Sequence, residues 1–239
     1  MLTLRLLGLA FWILGLSQPA LSNQKVELEL VLAIDTSTSV DEDEFILQRT
    51  GIAEAFRHPK VLRAIEGLGP SGMAVSVVQW AGASKQVTSV DWTFVNNQAS
   101  SFALAGRIED MERSLTGFTD IAGAINASAR SLMRNRFDGQ RLAIDVSGDG
   151  TSDRNNPATA RDAAILQGIT INGLVIYSVE YDLGDLARFE LHRHYKQQVI
   201  GGPGAFLMEA TSFKTFAVSM REKLYQEISG PLFAQTSID

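Results

Sequence analysis

From Val26 onward, the apolar positions switch between the short period of strands and the longer period of helices. Val26–Ile34 ends in the unbroken run Leu30-Val31-Leu32-Ala33-Ile34, the pattern of a central strand covered on both faces. Asp41-Glu42-Asp43-Glu44 then opens an amphipathic helix that runs to Phe56, with Phe45, Ile46, Ile52 and Ala53 on its apolar side. Acidic residues in a first turn complement the helix dipole. A second helical piece covers Pro59–Ile65 and is closed by Gly67-Leu68-Gly69-Pro70. Met73–Ala81 reads as a strand, with Gln86–Phe94 as its hairpin partner across Gly82-Ala83-Ser84. The pattern predicts helices over Ala99–Ser114, Ile121–Arg136, Pro157–Gln167, Leu186–Gln198 and Phe213–Ile228. It predicts strands over Arg141–Val146, Ile169–Tyr177 and Ala205–Glu209.

Strands alternating with helices call for an α/β fold: a single doubly wound, mostly parallel sheet flanked by helices, with one antiparallel edge strand from the hairpin. In such sheets ligands bind beyond the carboxyl ends of the strands. Ahead of this pattern, Arg5 precedes the apolar run Leu6–Leu16, Ser17-Gln18-Pro19 breaks it, and Ala20-Leu21-Ser22 supplies small residues at cleavage spacing. The run is well short of the roughly 20 residues that a membrane span needs. Residues 1–22 are therefore expected to be a cleaved secretory signal peptide, leaving a domain over 23–229 and a frayed tail over 230–239. The mature chain is expected in a bacterial periplasm or outside the cell, with no transmembrane anchor.

Composition narrows the chemistry. The 239 residues contain no cysteine, which removes thiolate catalysis, disulfides and cysteine-based zinc sites. The net charge is −6, and −7 without the first 22 residues, which carry one basic and no acidic side chain. So acidic a domain repels polyanions, so nucleic acid is not an expected partner. No glycine-rich phosphate loop with a lysine is present, so no nucleotide is expected either.

Three places beyond strand ends or before helices carry oxygen donors. Asp35-Thr36-Ser37-Thr38-Ser39 follows the most apolar strand and offers a carboxylate and two hydroxyls on one side of a turn. Gly117-Phe118-Thr119-Asp120 precedes the helix at Ile121, and Ser147-Gly148-Asp149-Gly150 closes the strand from Arg141. Such hard oxygen ligands suit magnesium, manganese or calcium. Two carboxylates with neutral hydroxyls leave an octahedral ion with positions open to a partner's carboxylate. Each fragment has a simpler alternative. Ser37 and Ser39 could cap the first helix, and Thr119 the helix at Ile121.

In order and context, these fragments resemble the metal-ion-dependent adhesion site of von Willebrand factor A domains and integrin inserted domains. That motif is Asp-x-Ser-x-Ser, then a Thr before a helix, then an Asp in a Thr-Asp-Gly-like turn. The matching residues are Asp35, Ser37, Ser39, Thr119 and Asp149. The resemblance spans Val26–Ser229 and extends to an exported bacterial family of this type whose function is unknown. It implies that Ser37, Ser39 and Thr119 coordinate a divalent cation, magnesium first and manganese or calcium as alternatives. Asp35 and Asp149 would act directly or through water, and the partner would be a protein offering Asp or Glu. One departure is Gly148, which supplies no hydroxyl where the motif has Thr. Nothing in the arrangement asks for a general base or a nucleophile, so a binding module is expected rather than an enzyme.

The competing enzyme is a magnesium-dependent phosphatase of haloacid dehalogenase type. Asp35 would be its nucleophile, and Asp149 and Asp153 would hold the metal. Against it, Ser37 stands where that family has a second Asp, and no Lys lies between Lys85 and Lys196, which leaves Arg134, Arg136 and Arg141 as substitutes for its cation. Asp149-x-Thr151-x-Asp153-x-Asn155 begins like a calcium loop, but Arg154 and Ala160 replace the glycine and glutamate it needs. His192-Arg193-His194 reads as a solvated basic helix face.

Overall fold

The computed structural model describes residues 23–152, 155–177 and 184–230. The stretch expected to be a signal peptide, the expected tail apart from Gly230, and Asp153 and Arg154 lie outside the described residues. The strands are β1 (Gln24–Asp35), β2 (Met73–Trp80), β3 (Gln86–Val95), β4 (Phe137–Gly148), β5 (Ile169–Ile176) and β6 (Leu207–Ala210). The longer helices are α1 (Glu42–Arg57), α2 (Pro59–Gly67), α3 (Gln98–Glu109), α4 (Ile121–Leu132), α5 (Pro157–Ile165), α6 (Gly184–His194) and α7 (Phe216–Ser229). The strands form one sheet in the order β3-β2-β1-β4-β5-β6. Every neighbouring pair is parallel except β2 with β3, the predicted antiparallel hairpin at the edge.

Alternate residues of β1 enter two cores, which is why its apolar run is continuous. Leu28, Leu30, Leu32 and Ile34 pack with α1, α2, α3 and α7, while Val31 and Ala33 pack with α4, α5 and α6. Burying one such Leu contributes about 1.5–3 kcal/mol relative to exposure. The chain leaves β1 toward β2 and β3, then returns to place β4 on the other side of β1. The carboxyl ends of β1 and β4 therefore flank the point where strand order reverses, the usual ligand crevice of such sheets. Among the described residues, no helix is long and apolar enough to cross a membrane.

Three element boundaries differ from the sequence pattern, each for a tertiary reason. The helix expected to reach Ser114 stops at Glu109, because the strap after it is held by side chains from elsewhere. Gln79 of β2 donates to Glu112 O at 2.7 Å and accepts from Ser114 N at 2.8 Å, and Arg49 donates to Met111 O at 2.6 Å. The helix expected to reach Arg136 stops at Leu132, where Asn135 donates to Leu132 O at 2.9 Å and accepts from Phe137 N at 2.6 Å. That amide ends α4 and starts β4 early. The helix expected over Leu186–Gln198 changes at Tyr195 into a π-helical turn over Tyr195–Val199.

An ion network lies between the sheet and α7. Lys223 Nζ, wholly buried, is 2.7 Å from Asp145 Oδ1 and 2.6 Å from Glu227 Oε1. Asn172 of β5 adds a 2.9 Å bond to Glu227 Oε1, and Arg141 donates to the carbonyls of Glu227 and Ile228. Burial, and then the charge of Glu227, pushes the Asp145 carboxyl up to about 7 in spite of Lys223.

Candidate metal centre

The loop after β1 is fastened by its alternate residues. Thr36 donates its amide and its hydroxyl to Trp80 O, at 2.9 and 3.0 Å. Thr38 likewise donates both to Gly117 O, at 2.8 and 2.9 Å. Gln48 of α1, itself buried, donates to Asp35 O at 3.1 Å, and Arg113 donates to Ser37 O at 2.9 Å. With the intervening residues tied down, Asp35, Ser37 and Ser39 are left to interact with one another and with Asp149. Asp35 Oδ1 accepts from Ser37 N at 2.7 Å, Ser37 Oγ lies 3.1 Å from Ser39 Oγ, and Ser39 Oγ donates to Asp149 Oδ1 at 2.8 Å.

The capping alternatives are answered by other residues. The N-cap of α1 is Asp41, which accepts from Glu44 N at 2.8 Å while Glu44 accepts from Asp41 N at 3.0 Å, a reciprocal capping box. The N-cap of α4 is Asp120, which accepts from Gly123 N at 3.0 Å. The N-caps are therefore Asp41 and Asp120, not Ser37, Ser39 or Thr119. Thr119 is nearly buried and faces the turn after β4, where a β-carbon on Gly150 would lie 3.3 Å from its hydroxyl. The five sequence-predicted residues therefore gather at the β1–β4 crevice.

The electrostatics of this gathering suit a cation. Asp35 is wholly buried, and its Oδ2 has no hydrogen-bond partner among the described residues. Burial, and then the charge of Asp149, pushes the Asp35 carboxyl up to about 8. Burial also raises Asp149. Among the described residues no Lys, Arg or His forms an ion pair with either carboxylate. An orphaned buried carboxylate oxygen within an all-oxygen donor set fits a hard divalent ion.

Residues 25–232 match the family described as "Protein of unknown function (DUF1194)". The chain belongs to the DUF1194 family. No curated protein matches this DUF1194 sequence. Solved structures do. Proximal thread matrix protein 1 from the mussel byssus, with a zinc-occupied MIDAS motif, aligns with TM-score 0.57 at 15% identity over 86% of this chain and 47% of that one. SpaC, a pilus adhesin from Lactobacillus rhamnosus GG, aligns with TM-score 0.60 at 14% identity over 87% of this chain and 31% of that one. A von Willebrand factor type A structure from Catenulispora acidiphila aligns with TM-score 0.56 at 14% identity over 85% and 43%. The DUF1194 chain thus spans less than half the length of each of these neighbours, and shares with them the von Willebrand factor A fold.

Sequence reasoning missed the residues that hold the DUF1194 site in shape: Gln48, Gln79 and Arg113. The signal was available for two of them, since a glutamine between Phe45 and Ile52 on α1, or inside the apolar β2, needs a buried partner. His194 also departs from expectation. It is half-buried and accepts from Ser152 N at 3.4 Å, in the loop after Asp149, rather than lying on a solvated basic face. Burial lowers its pKa. Of the arginines considered for a phosphatase, Arg141 lies in the register row of Leu28, at the opposite end of β1 from Asp35. Arg134 and Arg136 precede β4 at that same end. None of the three is near Asp35.

Proposed function

We propose that this protein is an exported binding module in which Asp35, Ser37, Ser39, Thr119 and Asp149 hold a divalent cation that engages an Asp or Glu of a protein partner. One observation carries the proposal. Asp41, not a serine, caps α1, so Ser37 and Ser39 lie beside Asp35 and Asp149, carboxylates that pair with no Lys, Arg or His among the described residues. Magnesium is the first expectation, with manganese or calcium as alternatives for the same oxygen set. When bound, the ion supplies a point of attraction for a partner's carboxylate. Thr36 and Thr38, bonded to Trp80 O and Gly117 O, keep the donor loop rigid, so little ordering is needed on binding. The fold it shares with an adhesin and with a MIDAS-bearing matrix protein supports the reading at the level of architecture.

Specificity would come from the surface around the ion. Beside Thr119 lies a hollow of about 300 Å³ lined by Gly82, Ala83, Lys85, Gly117, Phe118 and Asn155. Phe118 is 64% exposed, which is unusual for so large an apolar side chain. An acidic residue with an apolar neighbour in the partner would match this pairing of ion and hollow. The cation site is tested by calorimetric titration of the protein with magnesium and with manganese. Saturable binding that disappears in Asp35→Ala/Asp149→Ala is expected, and an unchanged affinity in that double variant overturns the assignment. Magnesium-dependent phosphatase turnover abolished by Asp35→Asn would favour the enzyme instead.

A further inference from the structure

Position 148 has no side chain, and the space that one would occupy is already taken. A β-carbon on Gly148 would lie 2.7 Å from the Tyr195 hydroxyl, 2.8 Å from Asp35 Oδ2 and 3.2 Å from Trp80 Cζ2. Any other residue at 148 would have to displace one of these groups. Gly148 ends β4 and is flanked by Asp35 of β1, itself in register with Trp80, and by Val175 of β5. The phenol of Tyr195 crosses above this row from the helical layer. Two of the crowded atoms, the Tyr195 hydroxyl and Asp35 Oδ2, are polar, buried and without a hydrogen-bond partner among the described residues.

Leaving two such groups unbonded is costly, and they are chemically complementary, a hydroxyl donor beside a carboxylate acceptor. Burial, and then the charges of Asp35, Asp149 and Asp145, holds the phenol in its protonated form. The backbone also singles out this residue. Tyr195 opens the π-helical turn that interrupts α6, closed by Ile200 N on Tyr195 O at 3.0 Å. Wide turns of this kind are frequent at functional sites.

We propose that Tyr195 is a positioning residue of the metal centre, its phenol donating a hydrogen bond to Asp35 Oδ2 in the space that a side chain at position 148 would fill. The carboxylate torsion of Asp is soft, so a small turn of the group brings Oδ2 to the phenol while Oδ1 keeps the Ser37 amide. Each carboxylate oxygen retains a further lone pair toward the ion. The sequence motif loses a hydroxyl at Gly148, and Tyr195 returns one to the same space from another element. The proposal rests on Asp35 serving a cation, as argued above.

The test is calorimetric titration with magnesium chloride of the wild type, Tyr195→Phe, and Tyr195→Phe with Gly148→Ser, alongside thermal melting of each in chelator. Tyr195→Phe keeps the ring and should weaken magnesium binding about tenfold, as loss of a group that orients a metal ligand does. Its melting temperature in chelator should fall only slightly, because one hydrogen bond is lost while the ring still fills its place. The added serine should recover part of the lost affinity. Magnesium affinity in Tyr195→Phe within about twofold of wild type overturns the proposal, well inside the loss expected of such a group. So does an affinity loss that comes with a large drop in melting temperature and is not recovered by Gly148→Ser. A wild type that binds neither magnesium nor manganese overturns the metal reading, and this proposal with it.

Discussion

Two acidic clusters flank the same sheet, and they are neutralised in different ways. On the face covered by α7, Asp145 and Glu227 share the ammonium of Lys223 at 2.7 and 2.6 Å. At the carboxyl ends of β1 and β4, Asp35 accepts from Ser37 N and Asp149 from Ser39 Oγ, and among the described residues neither pairs with a Lys, Arg or His. Both clusters raise carboxyl pKa values, Asp145 to about 7 and Asp35 to about 8, and in both burial is the main cause. The difference is the counter-charge. The first cluster carries its own and ties α7 to the sheet, whereas the second has none among the described residues and forms the proposed cation site. Buried acidity alone therefore does not mark a site, and buried acidity without an internal cation does.

The contrast is broken most severely at Lys223. Lys223→Met leaves two buried carboxylates uncompensated and should cost about 3–5 kcal/mol in urea unfolding. Replacing Asp145, Lys223 and Glu227 together by apolar residues should restore most of that loss, since an intact buried ion network is a weak source of net stability. A cost below about 1 kcal/mol for Lys223→Met, far less than breaking a buried pair requires, would mean that the cluster is not ionic. At the other cluster, the proposed cation would supply the missing charge. Magnesium at a hundredfold excess over its dissociation constant should stabilise the protein by about 2.7 kcal/mol. Asp35→Asn/Asp149→Asn should lose that increment in thermal melting with and without chelator.

The same cluster gives a pH signature of defined sign. The Asp35 carboxyl titrates near 8 in the folded chain against an ordinary 3.8, so between those values the folded state holds a proton that the unfolded state has released. Stability in chelator should therefore decline as pH rises from about 4 to about 8, the slope following from the proton difference between the two states. Magnesium displaces that proton, so its affinity should rise over the same window and flatten the decline. Asp35→Asn should remove the Asp35 share of the slope. Melting curves across pH, in chelator and in magnesium, check both statements, and a chelator slope that Asp35→Asn leaves untouched would refute the assignment.

Much of this was legible in the sequence, and what was not has a physical reason. The unbroken Leu30–Ile34 run announced a strand covered on both sides, and the structure buries it in two cores. The donors of the site were legible because hard oxygen ligands followed strand ends in a family order. The strap after α3 was not, because its path depends on Gln79, 33 residues before Glu112 and 35 before Ser114, whose side chain replaces the helical bonds of both. The π-helical turn at Tyr195 was illegible for a similar reason: helical periodicity runs on through it, and only the crowding over Gly148 distinguishes the tyrosine. The Lys223 network was missed because a lysine and a glutamate four residues apart on a helix usually make a surface pair, and here Asp145 faces them from within the sheet.

The smallest effect separates a hydroxyl that shapes the fold from one that waits for a cation. Asp41 caps α1 and completes a reciprocal box with Glu44, so Asp41→Ala should cost about 1 kcal/mol of stability and change magnesium affinity little. Ser37 lies four residues earlier, and its hydroxyl lies 3.1 Å from Ser39 Oγ and beside the Asp35 carboxylate. Ser37 is buried, so Ser37→Ala should cost up to about 1 kcal/mol in chelator, as loss of one neutral hydrogen bond does, while weakening magnesium binding about tenfold. The two variants exchange their effects if the serine is the structural residue after all. Paired urea unfolding and calorimetry on Asp41→Ala and Ser37→Ala therefore decide the matter from two single substitutions, and they do so without knowledge of the partner. A serine variant that loses stability but keeps its magnesium affinity would return the loop to helix capping and remove it from the metal centre.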